Sequence, residues 1–424
     1  MRPAPEREHA APPSSALLTE MLEEVLRFGT QLLRAGHDAC RVRQLMGMVA
    51  RGMGFDALSM QLELGSITAS GRRGSERVTL VREVGAPGLN TWRIDVLEEL
   101  ACTTPPGMTP HELATKLAAI EGTPPRYSIV QTGAAVGAAC GAFAFLNGCT
   151  GLEVAAAAVG GGISQGLRSW LSRQRFNQYV IAALCALVAS SVYCLSAAVV
   201  RHAGFSVACY AVGLISSVLF LVPGFPLVTC LFDMLQHETA VAMTRLAYAT
   251  MLLLIAALGL SVVIAVVGVS VDTAPPPALA ASRLLMLRAL ATFVGASGFA
   301  ILYNSSGRTV LHVGLVALIG NILRLALRDA GLVLPLATFV GALVVGLLTS
   351  LARRWLTAPR IALTVPGVIM MVPGIYAFEA LVQFNQGEAL AALRGAVLVV
   401  FVVGAMALGL AVARLISQPE WLRE

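Results

Sequence analysis

The sequence predicts an α-helical polytopic membrane protein, about ten spanning helices in two inverted five-helix repeats, with an N-terminal cytosolic α+β domain. Three observations lead there. The 424 residues are 57% hydrophobic and only 13% charged, where an average soluble domain carries roughly 25% charged residues. Mean hydropathy is +0.76. Charge is also concentrated at the start: residues 1–127 hold 14 of the 30 basic and 15 of the 24 acidic residues. The remainder holds 16 basic against 9 acidic residues. The positive charge therefore belongs to the apolar part, where Arg at helix ends meets anionic lipid and sets orientation. No basic run is interleaved with aromatics, which argues against nucleic acid as a partner.

Residues 1–16 form a polar, Pro/Ala-rich tail with no apolar stretch after it, so no cleavable signal peptide is expected and 17–127 stay in the cytosol. Leu18, Leu22, Val25, Leu26, Leu32 and Leu33 fall at helical spacing, and Ala35-Gly36-His37 divides Leu17–Gly52 into two helices. From Ala57 the period becomes two. Leu58, Met60, Leu62 and Leu64 alternate with polar residues, and Ile67-Thr68 and Arg77–Val81 follow as strands on either side of a turn at Gly71–Gly74. Ile94–Leu100 and Thr109–Ile120 return to helix, the second with Thr109 as N-cap, Pro110 in the first turn and Glu112 three residues on. The polar cluster Arg34, His37, Asp38, Arg41 and Arg43 reads as a solvated or docking face.

From Ile129 apolar runs dominate. Candidate spans are 129–147, 151–168, 178–200, 204–222, 241–270, 284–303, 309–328, 332–351, 361–381 and 391–415. Most approach the ~20 residues that a bilayer crossing requires. The Pro-rich stretch Asp272–Pro277 is the long break, giving a first membrane half at 128–271, a linker at 272–282, a second half at 283–416 and a tail at 417–424. The halves resemble each other. Gly141–Asn147 parallels Gly298–Asn304, Arg168 and Arg324 follow at nearly the same interval, and Val222-Pro-Gly-Phe-Pro226 is matched by Val365-Pro-Gly367 and Val372-Pro-Gly374. Five spans per half force the second to insert upside down, the mark of an inverted repeat. Ten Arg on one side against six on the other put both termini inside.

Proline in a spanning helix removes a hydrogen bond, and the freed backbone groups in hydrocarbon must be met by protein or by a polar cavity. Matched breaks at Pro223, Gly224, Phe225 and Pro226 and at Pro366, Gly367, Pro373 and Gly374 therefore mark a candidate substrate pathway. Asp233 and Glu379 are candidate proton carriers. Asn147 and Asn304 are paired polar residues that line the pathway or cap helices. Glu153 stands at capping-box spacing from Thr150. Eight Cys with no C-x-x-C spacing, and isolated His202, His237 and His312, give no metal site, disulfide or cofactor. Residues 17–127 hold no catalytic motif.

These residues resemble the threonine/serine exporter family, whose halves are fused in some members and separate proteins in others. The likeness runs from about Leu17 to Leu415. It rests on Leu32–Gly36, Ala39–Val42 and Gly65–Ser70, on Leu221–Pro226 with Asp233 and Arg245, and on Phe299–Arg308, Pro359 and Leu363–Gly374. The pattern departs from the family's at His37-Asp38 and at Gly148-Cys-Thr-Gly151. The resemblance implies secondary export of L-threonine or L-serine through the bacterial inner membrane, driven by protons, with the lipid bilayer, a small amino or carboxylic acid and protons as partners. A homo-oligomer is left open. The alternatives are a dicarboxylate exporter, with Arg288 and Arg324 facing the substrate, and a membrane-anchored regulatory or enzymatic protein with its chemistry in 17–127.

Overall fold

The computed structural model describes residues 15–85, 87–149, 151–204, 210–268, 279–356 and 358–418. The tail before Ser15, Thr150, Cys209, the Asp272–Pro277 stretch and the residues from Pro419 onward lie outside these. The chain divides into two compact units, Met1–Gly88 with Val96–Thr123, and Leu89–Asp95 with Pro124–Glu424.

The first unit is built from α1 (Ser15–Arg34), α2 (Ala39–Gly52), β1 (Ala57–Leu62), β2 (Ser66–Arg73), β3 (Glu76–Glu83), most of α3 (Thr91–Cys102) and α4 (Pro110–Gly122). The strands form an antiparallel meander in the order β1-β2-β3. Leu18, Leu22, Val25, Leu26 and Leu32 of α1 are buried, as their helical spacing requires, with Ile67 and Ala69 of β2. The α4 capping box forms, Glu112 N–H donating to Thr109 Oγ1 and Thr109 N–H to Glu112 Oε2.

The polar cluster departs from the expected solvated face. His37 and Asp38 are buried. The His37 ring stands between two carboxylates, Nδ1 at 3.0 Å from Asp38 Oδ2 and Nε2 at 3.4 Å from Glu98 Oε1. Arg41 Nε meets the same Glu98 oxygen at 2.7 Å. Burial alone would lower the His37 pKa, but Asp38 and Glu98 outweigh it and raise it to about 9. Burial likewise acts to raise Glu98, and the hydrogen bonds and charges of His37 and Arg41 bring it down to about 2. Arg43 is also tied inward, donating to Met60 O at 2.7 Å.

The second unit is helical. Its first set comprises α5 (Ile129–Leu146), α6 (Gly151–Arg173), α7 (Gln178–His202), α8 (Tyr210–Val218), α9 (Gly224–Leu235) and α10 (Thr239–Val267). Its second comprises α11 (Ala281–Leu302), α12 (Gly307–Asp329), α13 (Leu334–Ala352), α14 (Arg360–Val368), α15 (Gly374–Asn385) and α16 (Ala389–Ser417). Seven of these helices are long and apolar enough to cross a membrane by themselves, and nine spans result if α8–α9 and α14–α15, bent by 59° and 51°, count as one each. This falls one short of the expected ten. The missing one is α6, expected as the span 151–168. Glu153, Arg168, Arg173, Ser164 and Gln165 dilute its apolar character, and Ser164 and Gln165 are buried inside the protein. Its other face carries exposed Leu152, Val159, Ile163 and Trp170, so α6 is polar on the protein side and apolar on the outer side.

The two sets match element by element. α6 and α12 are both 23 residues, α9 and α15 both 12, and α10 and α16 both 29. From α8 onward the offset is 150 residues, as between Gly224 and Gly374; at α6 and α12 it is 156, as between Gly151 and Gly307. The 156-residue offset carries Arg168 onto Arg324, and places Asn304 opposite Gly148 rather than Asn147. Backbone geometry agrees: Asn304 and Gly148 both have positive φ, 63° and 102°. Asn147 is instead the C-cap of α5, the counterpart of Tyr303 at the end of α11.

Candidate functional site

The two bends share one local construction. A short 3-10 turn, Leu219–Leu221 or Ile369–Met371, ends each apolar half-helix. The proline that follows has φ −76° and ψ 56° at Pro223, and φ −79° and ψ 48° at Pro373. The next glycine donates two residues back, Gly224 to Val222 O at 2.7 Å and Gly374 to Val372 O at 2.8 Å. That is an inverse γ-turn, a low-energy way to break a helix with one hydrogen bond. Pro366 and Gly367, expected at a break, lie inside α14, where Gly367 packs towards Val345. The break falls at Pro373 because the 3-10 turn and γ-turn form there.

The bends also meet. A Cβ on Gly224 would press on Ile369 Cδ1 at 2.8 Å and approach Val372, and one on Gly374 would run into Leu219 Cδ1 and approach Val222. Leu219 pairs with Ile369, and Val222 with Val372, under the same 150-residue offset. Each bend thus rests on the corresponding residues of the other. Phe143 and Phe299 flank the contact.

Beside the second bend lies a small polar cavity of about 30 Å³, bordered by Asn147, Arg324, Arg328, Pro373 and Tyr376. It has room for about a water or two. Arg324 Nε donates to Asn321 Oδ1 at 2.9 Å, and Asn321 Nδ2 donates to Thr292 Oγ1 at 2.9 Å. This chain of bonds, in which Asn321 and Thr292 are buried, fixes the guanidinium. No carboxylate among the described residues lies within 4 Å of Arg324 or Arg328. The α15 N-terminus adds the positive end of a helix dipole and first-turn amides that no residue within the helix can satisfy. The cavity is suited to an anion. A larger groove of about 790 Å³ between α9, α10, α15 and α16 has no charged residue on its walls and offers nothing to a charged substrate.

The structure gathers Asn147 and Pro373 at this cavity and sets Gly224 and Gly374 in the contact behind it. Phe225 stacks edge to face on Tyr303, ring centres 6.0 Å apart. Pro226 lies in the first turn of α9. Asn304 is a clamp: its Oδ1 accepts from Arg126 N–H at 2.8 Å, and its Nδ2 donates to Asn90 Oδ1 at 3.0 Å. Asp233 and Arg245 are 0% and 3% exposed and form a salt bridge of 3.2 Å. Glu379, on α15, is half-buried, with no arginine among the described residues within 4 Å. Arg288, expected to face substrate in the dicarboxylate reading, instead pairs with exposed Asp329 at 2.5 Å. Arg324 is the residue brought forward, and Tyr376 and Arg328 are additions that an arginine count for topology does not distinguish.

Comparison with known proteins agrees with this architecture. Residues 23–267 match the family described as “Putative threonine/serine exporter”, and residues 288–416 match the family described as “Threonine/Serine exporter, ThrE”. A Klebsiella aerogenes protein named “Probable succinate transporter subunit YjjP” is 24% identical over 231 residues, covering 54% of this chain and 86% of that protein. No solved structure matches the chain. The two matches follow the division into two helical sets and cover most of the chain, which makes this multi-pass membrane protein a member of the threonine/serine exporter family.

Proposed function

We propose that the protein exports a small hydroxy amino acid, L-threonine or L-serine, from the cytosol through a bacterial inner membrane, using the proton gradient. In this reading the sets of helices are inverted repeats, both termini are cytosolic, and substrate passes where the two bends meet. The observation that carries it is Arg324, oriented by Asn321 and facing a polar cavity at the α15 N-terminus with no acidic neighbour among the described residues. It would hold the substrate carboxylate. The cavity is smaller than an amino acid, so loading requires the half-helices to part.

Glu379 is the better proton carrier of the two acids considered. Asp233 is already committed to Arg245, whereas Glu379 has no cation beside it among the described residues and is able to exchange its proton as access alternates. A second reading, export of a dicarboxylate, is favoured by one specific observation. Arg328 borders the same cavity as Arg324, and two cations suit two carboxylates.

The test is efflux from proteoliposomes of labelled L-threonine, L-serine and succinate, with and without an imposed pH gradient. Gradient-stimulated movement of the amino acids supports the main reading, and movement of succinate alone replaces it with the second. R324Q should lower transport efficiency about tenfold to a hundredfold, as loss of a 1.5–3 kcal/mol charged hydrogen bond implies. E379Q should abolish stimulation by the gradient while sparing exchange. Stimulation that survives E379Q and disappears in D233N would move the proton to Asp233.

A further inference from the structure

Five residues at or behind the Arg324 cavity have counterparts in the other set. The 156-residue offset pairs Arg324 with Arg168, Asn321 with Gln165, Asn147 with Tyr303 and Phe143 with Phe299, and the 150-residue offset pairs Ile375 with Phe225. These counterparts are themselves gathered. Phe225 and Phe299 both contact Tyr303, at ring separations of 6.0 and 6.1 Å. The Arg168 guanidinium lies within electrostatic reach of the Tyr303 and Tyr248 hydroxyls. Arg168 is half-buried and, like Arg324, has no carboxylate among the described residues within 4 Å.

Two details separate the places. Arg324 is latched onto the Asn321 amide, whereas the Gln165 amide reaches Ser169 Oγ at 3.1 Å with one end and buries the other, Oε1, with no hydrogen-bond partner among the described residues. A buried amide oxygen left unbonded is costly, and the nearest precedent for its partner is the arginine three residues on, as Arg324 is for Asn321. The second detail is size. Where Asn147 and Ile375 stand beside Arg324, the rings of Tyr303 and Phe225 meet edge to face.

We infer that Arg168 anchors a second carboxylate-binding position, the cytosol-side counterpart of the Arg324 position, closed in this conformation by the Phe225–Tyr303 pair. When those rings separate, Arg168 docks on the Gln165 amide and presents its free N–H groups to a substrate carboxylate. The substrate then passes from one arginine to the other across the contact of the two bends. This rests on the transport reading above and gives the pathway two charged ends instead of one.

The test uses full-length protein reconstituted in vesicles, with concentration dependence measured separately for substrate presented on each face, and labelled L-threonine, L-serine and succinate as probes. R168Q should raise the apparent KM at least tenfold from the Arg168 face and less than twofold from the Arg324 face; R324Q should do the reverse. Should R168Q not insert, R168K and Q165L replace it, with the one-sided KM rise expected to be at least threefold. An equal effect on both faces, or none on either, overturns the second position while leaving transport intact. A wild-type protein that moves none of the probes sinks the transport reading itself.

Discussion

The two helical sets share lengths, offset and bend geometry, yet they hold their bent halves in place by different means. In the first set a buried ion pair, Asp233 on α9 with Arg245 on α10, joins the half-helix to its neighbour. In the second set those positions are Gln383 and Gly395. Gly395 lets α16 press directly on α15, so closely that a Cβ would lie 2.9 Å from Ala380 Cβ. One set uses charge and the other uses proximity. The two sets thus share a backbone plan while holding it through different contacts. The arginines tell the same story, Arg324 latched to its amide and Arg168 not.

The comparison breaks most visibly at the ion pair. D233A leaves Arg245 charged and buried, which should cost about 3–5 kcal/mol, read as a loss of thermal stability in detergent. The double variant D233Q/R245G, which installs the residues of the second set, should regain all but about 1 kcal/mol, the cost of glycine within a helix. If it does no better than D233A, the pair has a role beyond compensating its own burial.

Another buried charge cluster, in the first compact unit, supplies a pH measure. The folded pKa of His37 is raised to about 9 from 6.5, so its stabilisation is full below about pH 6.5 and is lost as the pH rises through about 9. That loss is on the order of 3 kcal/mol. Glu98 is lowered to about 2 from 4.5, so its contribution is full above about pH 4.5 and fades as pH falls towards 2. Hydrogen exchange of the α2 amides should therefore be slowest between about pH 4.5 and 6.5, after correction for intrinsic rates. H37Q should flatten the alkaline limb.

The smallest effect expected is at the glycine. G395A overpacks α15 against α16 and should cost about 1–3 kcal/mol, with R245A, at the matching site, failing in a different way by leaving Asp233 buried without its arginine. Because Tyr376 lies both beneath Gly395 and on the Arg324 cavity, G395A should also raise the KM on that face. Equal KM on both faces would separate packing from the site.

Much of this was legible in the sequence, because local signals settle local structure. The Ala35–His37 helix break, the alternating strands and the Thr109–Glu112 capping box are set by residues a few positions apart. The bends announced themselves through proline and glycine. Their register did not: Val-Pro-Gly occurs at Val365 and Val372, and only the 3-10 turn that precedes Pro373 singles it out. Pairing Asn147 with Asn304 followed residue type, whereas the sign of φ aligns Asn304 with Gly148. The burial of His37 is not legible locally, because its partner Glu98 lies 61 residues away. Arg324 is legible only through the dicarboxylate alternative, since an arginine near a helix end reads equally well as a topology marker.

The reciprocal seating of Gly224 on Ile369 and Gly374 on Leu219 has a consequence for leakage. Neither bend can straighten without withdrawing the apolar residues that support the other, so both sets of contacts are lost together or kept together. A state with one bend moved and one unmoved forfeits the contacts of both and is correspondingly scarce. If substrate passes where the bends meet, as proposed, that coupling would keep the path from opening to both sides at once: two hinges with a single pin.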